Sequence, residues 1–365
     1  MKKKITILPG DGIGKEVTAS GKKVLEQITD CFGHNFTYDY GIIGHEAIEA
    51  TGSPLPDDTL EKLKNCDAIL FGAVGHPKYD NDPSAKIRPE QGLLKMRKEL
   101  GLYANLRPIK LFDELLSASS IKPEVLKGAD ILFFRELTGD VYFGERGRKD
   151  NDTAYDTMVY SRYEVERIAH KAFKAAQTRT KKLTSVDKAN VLESSRLWRE
   201  VVQEVAKQYP DVTVEHMFVD AAAMKLIQNP KSFDVVVTGN LFGDILTDEA
   251  SQIAGSMGML ASASIGDTVG LYEPIHGSAH DITGKGIANP LASILSAALM
   301  LDISFGLKEE SENVIRAVEQ TLKEGYRTRD IADASTPHEK ILGTEVMGNI
   351  VCNKIRMSVS VNNRV

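Results

Sequence analysis

The sequence has 365 residues, more than a single hydrophobic core usually holds, and this length predicts two domains. Hydrophobic residues make up 42% and charged residues 26% of the chain, which is typical of a globular protein. A net charge of −6 argues against binding to nucleic acid or to an acidic membrane surface. The longest apolar run, residues 291–301, is shorter than the roughly 20 residues of a membrane-spanning helix. Three scattered cysteines, Cys31, Cys66 and Cys352, predict reduced thiols and a cytoplasmic location.

The first predicted elements surround the segment "ITILPGDGIG", residues 5–14. Residues 5–8 are predicted to form a strand, and the apolar residues that then recur at helical spacing are Val17, Val24, Leu25 and Ile28. The dinucleotide-binding fingerprint is G-x-G-x-x-G, and here the third glycine falls one residue early. The segment is therefore either a phosphate-binding turn or a strand-to-helix turn in which glycine supplies a positive φ.

Four further β-type runs end in polar residues or glycine: residues 67–75, 129–137, 182–189 and 233–240. These runs alternate with helical patterns, which predicts an α/β fold. Ligands of open α/β sheets bind beyond the carboxyl ends of the strands. We therefore expect Arg135, Lys188 and Asn240, which end or follow three of these runs, to lie near the functional site.

Residues 142–162, "YFGERGRKDNDTAYDTMVYSR", differ from the segments around them. They are polar, β-prone and without a helical stripe. Two interpretations stay open at this point: a solvated excursion, or a protruding arm that docks on a partner.

The segment "TGNLFGDILTDEA", residues 238–250, predicts a helix after a strand, with Asn240 as a capping residue. Asp244 and Asp248 are four residues apart and share one helical face, where like charges cost about 0.2–0.5 kcal/mol. Carboxylates in this arrangement are suitable ligands for Mg²⁺ or Mn²⁺. The alternative is a pair of acids that the dipole at the helix N-terminus favours.

Three arginines suggest a binding site for a small polycarboxylic acid. Arg97 and Arg107 surround a short predicted helix, and Arg135 ends an otherwise apolar strand, where a guanidinium needs an anion. The alternative for each arginine is an ordinary solvent-exposed position at the surface. Lys188 near a bound cation could act as a base, or it could simply reach solvent.

The segment "LYEPIHGSAHDITGKGIANP", residues 271–290, is dense in glycine and small polar residues. Its two histidines, His276 and His280, are four residues apart, but Gly277 and Ser278 between them disfavour a helix. The H-E-x-x-H pattern is also missing, so the segment does not predict a zinc site. The segment offers backbone amides, and Asp281 could bind ribose hydroxyls and select NAD over NADP. An irregular surface loop is the alternative.

Five segments occur in the order of a known family: "GLYANLRP", "RELTGDVYFG", "VDKANVLESSRLWR", "GNLFGDILTDEAS" and "EPIHGSAHDITGKGIANP". In these segments the chain resembles the isocitrate/isopropylmalate dehydrogenase family of metal-dependent oxidative decarboxylases. The resemblance runs from the first glycine-rich segment to "YRTRDIA" near residue 331. It implies a two-domain α/β fold of this family, not a classical Rossmann fold. The first domain comprises residues 1–103 plus 257–365, and the second comprises residues 104–256. The arm of about 142–162 is then a β-type clasp of a homodimer with shared active sites.

The resemblance also implies site residues. Arg97, Arg107 and Arg135 would hold the malate carboxylates. Tyr142 would act as the acid, and Lys188 of the partner subunit would act as the base. Asp244 and Asp248 bind Mg²⁺ or Mn²⁺ together with Asp220 of the partner subunit, which also contacts substrate. The cofactor NAD lies across the loop of residues 276–289, and its expected contacts are Ile13, Glu90, Glu273, His276, Gly277, Ser278, Ala279, Asp281, Ile282 and Asn289.

The substrate that the resemblance implies is 3-isopropylmalate, oxidised and decarboxylated to 4-methyl-2-oxopentanoate in leucine biosynthesis. Leu93, Leu94 and Val191 would form an apolar pocket for the isopropyl group, and an unpaired third carboxylate there would cost several kcal/mol. Alternatives within the family are tartrate, D-malate or homoisocitrate decarboxylation. Outside it they are a nucleotide-binding module without catalysis and a metal-dependent phosphatase.

Overall fold

The structure is a computed structural model that describes residues 1–82 and 84–362. Its strands are β1 (Lys2–Gly10), β2 (Asn35–Tyr40), β3 (Ala68–Ala73), β4 (Ala104–Lys110), β5 (Asp130–Glu136), β6 (Arg146–Arg148), β7 (Ala154–Asp156), β8 (Lys182–Asp187), β9 (Thr213–Phe218), β10 (Val235–Thr238), β11 (Ala261–Ile265) and β12 (Gly270–Pro274). Its helices are α1 (Gly14–Phe32), α2 (His45–Thr51), α3 (Asp57–Lys64), α4 (Pro77–Asp80), α5 (Glu90–Glu99), α6 (Pro123–Leu126), α7 (Arg162–Gln177), α8 (Glu193–Ala206), α9 (Val219–Gln228), α10 (Asn240–Ala254), α11 (Leu291–Ile303), α12 (Lys308–Lys323) and α13 (Thr344–Asn362).

The chain divides into two compact units. Unit 1 contains Met1–Gly101, Phe112–Ala118 and Gly255–Val365, and unit 2 contains Leu102–Leu111 and Ser119–Ala254. The domain boundaries implied by the resemblance remain a proposal, and each unit is described by itself below.

Unit 1 is built on strands in the order β2-β1-β3-β12-β11. The first three pairings are parallel, and β11 pairs with β12 in the antiparallel direction. The predicted stripe of α1 is buried as expected, with Val17, Val24, Leu25 and Ile28 all at 0% exposure. α1 packs against α11 and α13, so the two ends of the chain share one core.

Unit 2 has strands in the order β4-β5-β10-β8-β9. β4 and β5 are antiparallel, whereas β5, β10, β8 and β9 run parallel to one another. The carboxyl ends of the parallel strands therefore meet at one edge, where Arg135 and Asp187 lie. Trp198 of α8 is buried and donates from Nε1 to Ser185 Oγ of β8 over 3.2 Å.

The segment of residues 142–162 contains a separate two-stranded antiparallel sheet. β6 pairs with β7 from Arg146↔Asp156 to Arg148↔Ala154. Ser161 then begins α7 with a capping box, since its hydroxyl bonds Glu164 N and the Glu164 carboxylate bonds Ser161 N. The segment thus forms a β-hairpin, in agreement with its β-prone sequence.

The α/β prediction is confirmed, and the runs predicted at 67–75, 129–137, 182–189 and 233–240 correspond to β3, β5, β8 and β10. Two details differ. Asn240 does not cap α10 with its side chain, which is used on Arg135, and Ile245 of the predicted apolar stripe is 57% exposed. Among the described residues, no helix combines the length and apolar character that crossing a membrane requires.

Candidate active site

Two predicted arginines lie on neighbouring strands of unit 2. In the antiparallel register, Asn105 of β4 is opposite Arg135 of β5. Since side chains alternate along a strand, Arg107 lies on the same face as Asn105 and is diagonal to Arg135. Both arginines are nearly inaccessible, with exposures of 6% and 2%. Buried guanidinium groups need compensating acceptors.

The acceptors of Arg135 come from α10. Arg135 Nε and Nη2 donate to Asn240 Oδ1 over 3.0 and 2.8 Å, and Nη1 donates to Asp244 Oδ1. The Asn240 side chain also donates from Nδ2 to Gly139 O over 3.3 Å. The first turn of α10 therefore fixes the plane of the Arg135 guanidinium.

Arg107 binds the same helix one turn later. Its Nε donates to Asn105 Oδ1 and its Nη1 donates to Thr247 Oγ1, each over 2.6 Å. Its Nη2 lies 3.4 Å from Asp244 Oδ1, and its Nη1 lies 3.5 Å from Asp248 Oδ1. The predicted arginine pair and the predicted acid pair thus form one cluster.

Tyr142 belongs to this cluster. Its hydroxyl donates to Asp244 Oδ2 over 2.7 Å, and the Arg135 guanidinium lies 5.6 Å from the centre of its ring. Tyr142 ends a 3-10 helix, Asp140–Tyr142, whose first residue has a left-handed φ of 71°. The Asp140 carboxylate accepts from Leu241 N and from the Tyr160 hydroxyl, so it ties this turn to the start of α10.

The pKa of the Asp248 carboxyl group is raised, and its charged neighbours act on it in opposite directions. Burial raises its pKa, the nearby Arg107 opposes this shift, and the negative charge of Asp244 adds to it. Asp244 and Asp248 retain 34% and 52% exposure of their side chains. Both carboxylates are thus accessible from solvent while the arginines behind them are not.

Gly243 permits the close approach of α10 to β5. A Cβ atom at this position would lie 2.7 Å from Arg135 Cγ and 2.8 Å from Arg135 Cβ. Both distances are shorter than side-chain contacts allow, so any larger residue must displace the arginine or the helix.

Lys188 and Asp220 form a second group in unit 2. Lys188 follows β8, Asp220 lies in the first turn of α9, and Nζ is 2.5 Å from Oδ1. The hydrogen bond from Lys188 lowers the pKa of Asp220. Within the part of the chain that the structure describes, no three acidic, histidine or cysteine side chains form a metal-binding group. The proposed triad takes Asp220 from the partner subunit, so the single chain leaves it a prediction.

In unit 1 the first glycine-rich turn touches the predicted cofactor loop. Gly10 and Gly12 have φ values of 68° and 56°, as a strand-to-helix turn requires. Ile13 N donates to Ser278 O over 2.8 Å, and a Cβ on Gly12 would lie 1.9 Å from the same oxygen. The turn therefore flanks the loop.

A cavity of about 490 Å³ adjoins this loop in unit 1. It is lined by Ile13, Gly258, His276, Ala279, Ile282, Ile287, Ala288, Asn289, Arg329 and Asp330. Five of these were predicted cofactor contacts. Burial lowers the pKa of His276, and its Nε2 is buried without a hydrogen-bond partner. An enclosed donor or acceptor of this kind suits a ligand that supplies the missing bond.

The other predicted residues of the loop differ in exposure. Gly277 and Asp281 are exposed, whereas Ser278, Ala279 and Ile282 are half-buried. Asn289 is buried, donates to Asp330 Oδ2 over 3.0 Å and accepts from Leu291 N at the start of α11. Side chains on the open part of the loop thus remain available to a ligand.

Arg97 and Glu273 form a buried ion pair in unit 1. Arg97 Nη2 is 3.2 Å from Glu273 Oε1, and each side chain is 9% exposed. Arg97 Nε is buried without a partner. A buried guanidinium with an unused donor suits a carboxylate or phosphate ligand.

Of the remaining predicted residues, Glu90, Leu93 and Leu94 lie on α5, and Val191 lies in unit 2. Glu90 is exposed at the start of α5, and Leu93 and Leu94 are half-buried on the same helix. Val191 of unit 2 is 61% exposed.

Sequence reasoning missed several residues that organise the site. Asp11 accepts from His45 N and Gly75 N, each over 3.0 Å, and so ties the glycine-rich turn to two loops. Thr247 and Asn105 bind Arg107, and Asp330 accepts from Asn289, Ser256 and Thr328. The position of Asp11 between two glycines at the end of a strand could have indicated its role. No sequence pattern near Thr247 indicates that it binds Arg107.

Residues 4–351 match the family described as isocitrate/isopropylmalate dehydrogenase. The chain belongs to this family. The resemblance drawn from the motifs is thereby confirmed.

Relatives within the family are similar over nearly the whole chain. The chain is 56% identical over 362 residues to a protein of Shouchella clausii (strain KSM-K16) named 3-isopropylmalate dehydrogenase, with 98% of each chain covered. A protein of Geobacillus kaustophilus (strain HTA426) with the same name is 57% identical over 334 residues, 90% of each. The crystal structure of isocitrate dehydrogenase from Methylococcus capsulatus has a TM-score of 0.85 and 34% identity, with 97% of this chain and 99% of that one covered.

Proposed function

We propose that this chain catalyses the NAD-dependent oxidative decarboxylation of 3-isopropylmalate to 4-methyl-2-oxopentanoate, a step in leucine biosynthesis. The observation that carries the proposal is the cluster of Arg107, Arg135, Asp244 and Tyr142. It combines two buried guanidinium groups for carboxylates with an accessible acid pair and a hydroxyl group. Relatives at 56–57% identity are named for this substrate, whereas the solved isocitrate dehydrogenase is 34% identical.

The residues present fit a divalent cation. Asp244 and Asp248 lie one helical turn apart with exposed oxygens, and burial together with their mutual repulsion disfavours two negative charges there. Mg²⁺ or Mn²⁺ would offset that repulsion. Asp220 of the partner subunit is proposed as the third ligand.

The cofactor loop fits a dinucleotide. The cavity of about 490 Å³ offers apolar walls from Ile13, Ala279 and Ile282, together with the unpartnered His276 Nε2. Asp281, exposed beside it, would bind ribose hydroxyls and repel the additional phosphate of NADP. NAD is therefore the proposed cofactor.

Each chain residue then has a defined task. Arg107 and Arg135 bind the malate carboxylates, and Arg97, with its unused buried Nε, supplies the third guanidinium. Lys188 of the partner subunit takes the proton from the substrate hydroxyl, and the Tyr142 hydroxyl donates a proton to the carbon that loses carbon dioxide. When bound, NAD accepts the hydride and the divalent cation polarises the substrate oxygen.

We infer a homodimer with shared active sites. Met224 and Ile227 of α9 and Ile245 of α10 are 59%, 37% and 57% exposed, and the two helices pack side by side. Exposed apolar groups on adjacent helices favour an interface with a second copy. The β6–β7 hairpin is the proposed clasp, which brings Lys188 and Asp220 of one subunit to the site of the other.

Substrate choice within the family would rest on the apolar side chains of Leu93, Leu94 and Val191. Leucines do not pair with a third carboxylate, so isocitrate should react poorly. One methylene changes binding by only about 1–3 kcal/mol, so shorter 3-alkylmalates should react.

The test is NADH formation from 3-isopropylmalate, isocitrate and D-malate, each with Mn²⁺ and with a chelator. We expect metal-dependent turnover that is much faster with 3-isopropylmalate. Asp248→Asn should raise the Mn²⁺ requirement at least about tenfold, whereas Glu249→Gln, its neighbour on α10, should not. Equal or faster turnover of D-malate would transfer the proposal to that substrate, and no turnover of any of the three would refute it.

A further inference from the structure

Three histidines from distant parts of the sequence meet in unit 1. His45 begins α2, His76 precedes α4 as its N-cap residue, and His280 lies in a 3-10 helix of the cofactor loop, His280–Ile282. The ring centres of His45 and His76 are 3.9 Å apart, and those of His76 and His280 are 4.5 Å apart. The function proposed above uses none of these three side chains.

Hydrogen bonds fix the protonation of two of these rings. Lys78 N–H donates to His76 Nδ1 over 3.1 Å, so this nitrogen must be unprotonated and His76 must be neutral. Gly75 O is only an acceptor and lies 2.7 Å from His280 Nε2, so His280 donates from this nitrogen. A second proton on His76 would break its cap bond and place a positive charge between two other imidazoles.

The bond from His280 holds the loop against Gly75, where other cofactor residues converge. A Cβ on Gly75 would lie 3.2 Å from Glu90 Oε1 and 3.3 Å from Ser278 Oγ. Gly75 N also donates to Asp11 Oδ2 over 3.0 Å. The carbonyl that His280 binds therefore belongs to a tightly packed junction between the loop, α5 and the glycine-rich turn.

We propose that His45, His76 and His280 form a pH-dependent latch, in which His280 positions the cofactor loop on Gly75 while His76 is neutral. The proposal rests on the proposed function in one respect, namely that opening the latch lowers the affinity for the cofactor NAD. Protonation of His76 on acidification breaks its cap bond and places a positive charge against the rings of His45 and His280. The rings then separate, and the loop loses its anchor on Gly75.

The surroundings of His76 favour its neutral form. Burial and the neighbouring His45 and His280 lower its pKa, and the carboxylate of Asp11 opposes this shift. The other titratable or charged groups near the latch are Glu49 and Tyr79, both close to His45, Lys78 beside His76, and Glu90 beside Gly75. A lowered histidine pKa means that the latch is complete above the ordinary value of 6.5 and is lost as the pH falls through the lowered value.

The experiment compares the wild-type chain with His76→Asn at about pH 7.5 and about pH 5.5. Asparagine keeps an acceptor for the cap bond but does not titrate. His338→Asn removes an exposed histidine elsewhere and is the matched control. Two quantities are measured: the dissociation constant of NAD, and hydrogen exchange of residues 277–283 in the cofactor-free protein.

For wild type and for His338→Asn, we expect the dissociation constant to rise on acidification about fivefold more than for His76→Asn, within the limit of about tenfold per pH unit for one coupled proton. Exchange in the loop, corrected for its intrinsic pH dependence, should increase in parallel. His276 is present in all three proteins, so its contribution cancels in the comparison.

Equal pH dependence of loop exchange in wild type and His76→Asn would overturn the latch. If the wild-type chain does not bind NAD at about pH 7.5, the proposed cofactor is wrong, and loop exchange alone then decides on the latch. The two failures are therefore distinguishable.

Discussion

At the scale of single residues, the informative observation is a charged side chain inside an apolar strand. Arg135 stands in "ILFFREL", and its 2% exposure means that every donor needs an acceptor from the protein or a ligand. The structure provides Asn240 and Asp244, both from one helix. The chemistry of Arg135 was thus predictable, whereas the identity of its acceptors was not.

Asp281 is the residue on which cofactor choice is proposed to depend. Asp281→Lys replaces a group that repels the 2′-phosphate by one that attracts it, so the ratio of kcat/KM for NAD to that for NADP should fall at least about tenfold. Initial rates with both cofactors measure this ratio. Asp58→Lys, an equal charge change at an exposed position of α3, is the control. An unchanged ratio in Asp281→Lys would contradict the assignment of the loop.

At the scale of elements, the contact of α10 with β5 holds the site together. Gly243→Ala places a methyl group 2.7 Å from Arg135 Cγ, so the helix or the arginine must move. We expect a loss of about 1–3 kcal/mol in the free energy of unfolding and a higher KM for substrate. Urea unfolding and steady-state kinetics measure the two effects.

Gln252→Ala, at an exposed position of the same helix, is the control for this substitution. It shortens a solvent-facing side chain and adds no atom to the contact of α10 with β5. If the two variants behave alike, the close approach at Gly243 does not determine the position of Arg135.

Asp234 joins three elements at the other end of the unit 2 sheet. It precedes β10, is 5% exposed, and accepts from Arg179 Nε and Thr180 N over 2.6 and 2.9 Å. Burial opposes its ionisation, but the bonds from Thr180 and Arg179 outweigh it and lower its pKa. This carboxylate therefore contributes stability above its ordinary pKa of 3.8, which is lost as the pH falls through the lowered value.

Asp234→Asn should reduce the free energy of unfolding by about 1–3 kcal/mol at neutral pH, because the donors of Arg179 and Thr180 lose a charged acceptor. The difference from wild type should shrink below the ordinary pKa of 3.8. Urea unfolding over a pH series tests this, with Asp211→Asn, an exposed acid beside Lys181, as a control that should change little. A constant difference at all pH values would count against the ionic role of Asp234.

At the scale of the whole molecule, the proposed catalytic residues of unit 2 form two clusters. Arg107, Arg135, Asp244 and Tyr142 form one cluster, and Lys188 binds Asp220 in another. Under the proposed shared site, the second group serves the partner. Activity is then a property of the dimer rather than of one chain.

Mixing variants tests this arrangement. Lys188→Ala and Asp244→Ala homodimers should both be inactive. After subunit exchange, heterodimers contain one site with both residues intact, so the mixture should recover about a quarter of wild-type activity for random pairing. Each variant exchanged with itself is the control, and a mixture that stays inactive would refute sharing.

The elements of the fold were largely readable because their signals are local. The buried stripe of α1 and the strands β3, β5, β8 and β10 follow from periodicity within short segments. Residues 351–362 lie beyond the segments that carried the resemblance, yet they continue α13, which packs against α12 and against α1 at the other end of the chain. Packing rather than local pattern reveals that helix.

The sequence by itself determined the α/β class, the charged residues at strand ends and the family, since each depends on residue types at short, fixed spacings. Tertiary structure alone decided that Asn240 binds Arg135 rather than capping α10, and that the rings of His45, His76 and His280 are in contact. These contacts join residues separated by 105 positions in the first case and by whole elements in the second. Strand register and helix packing bring such residues together, and neither is encoded in the periodicity of any single segment.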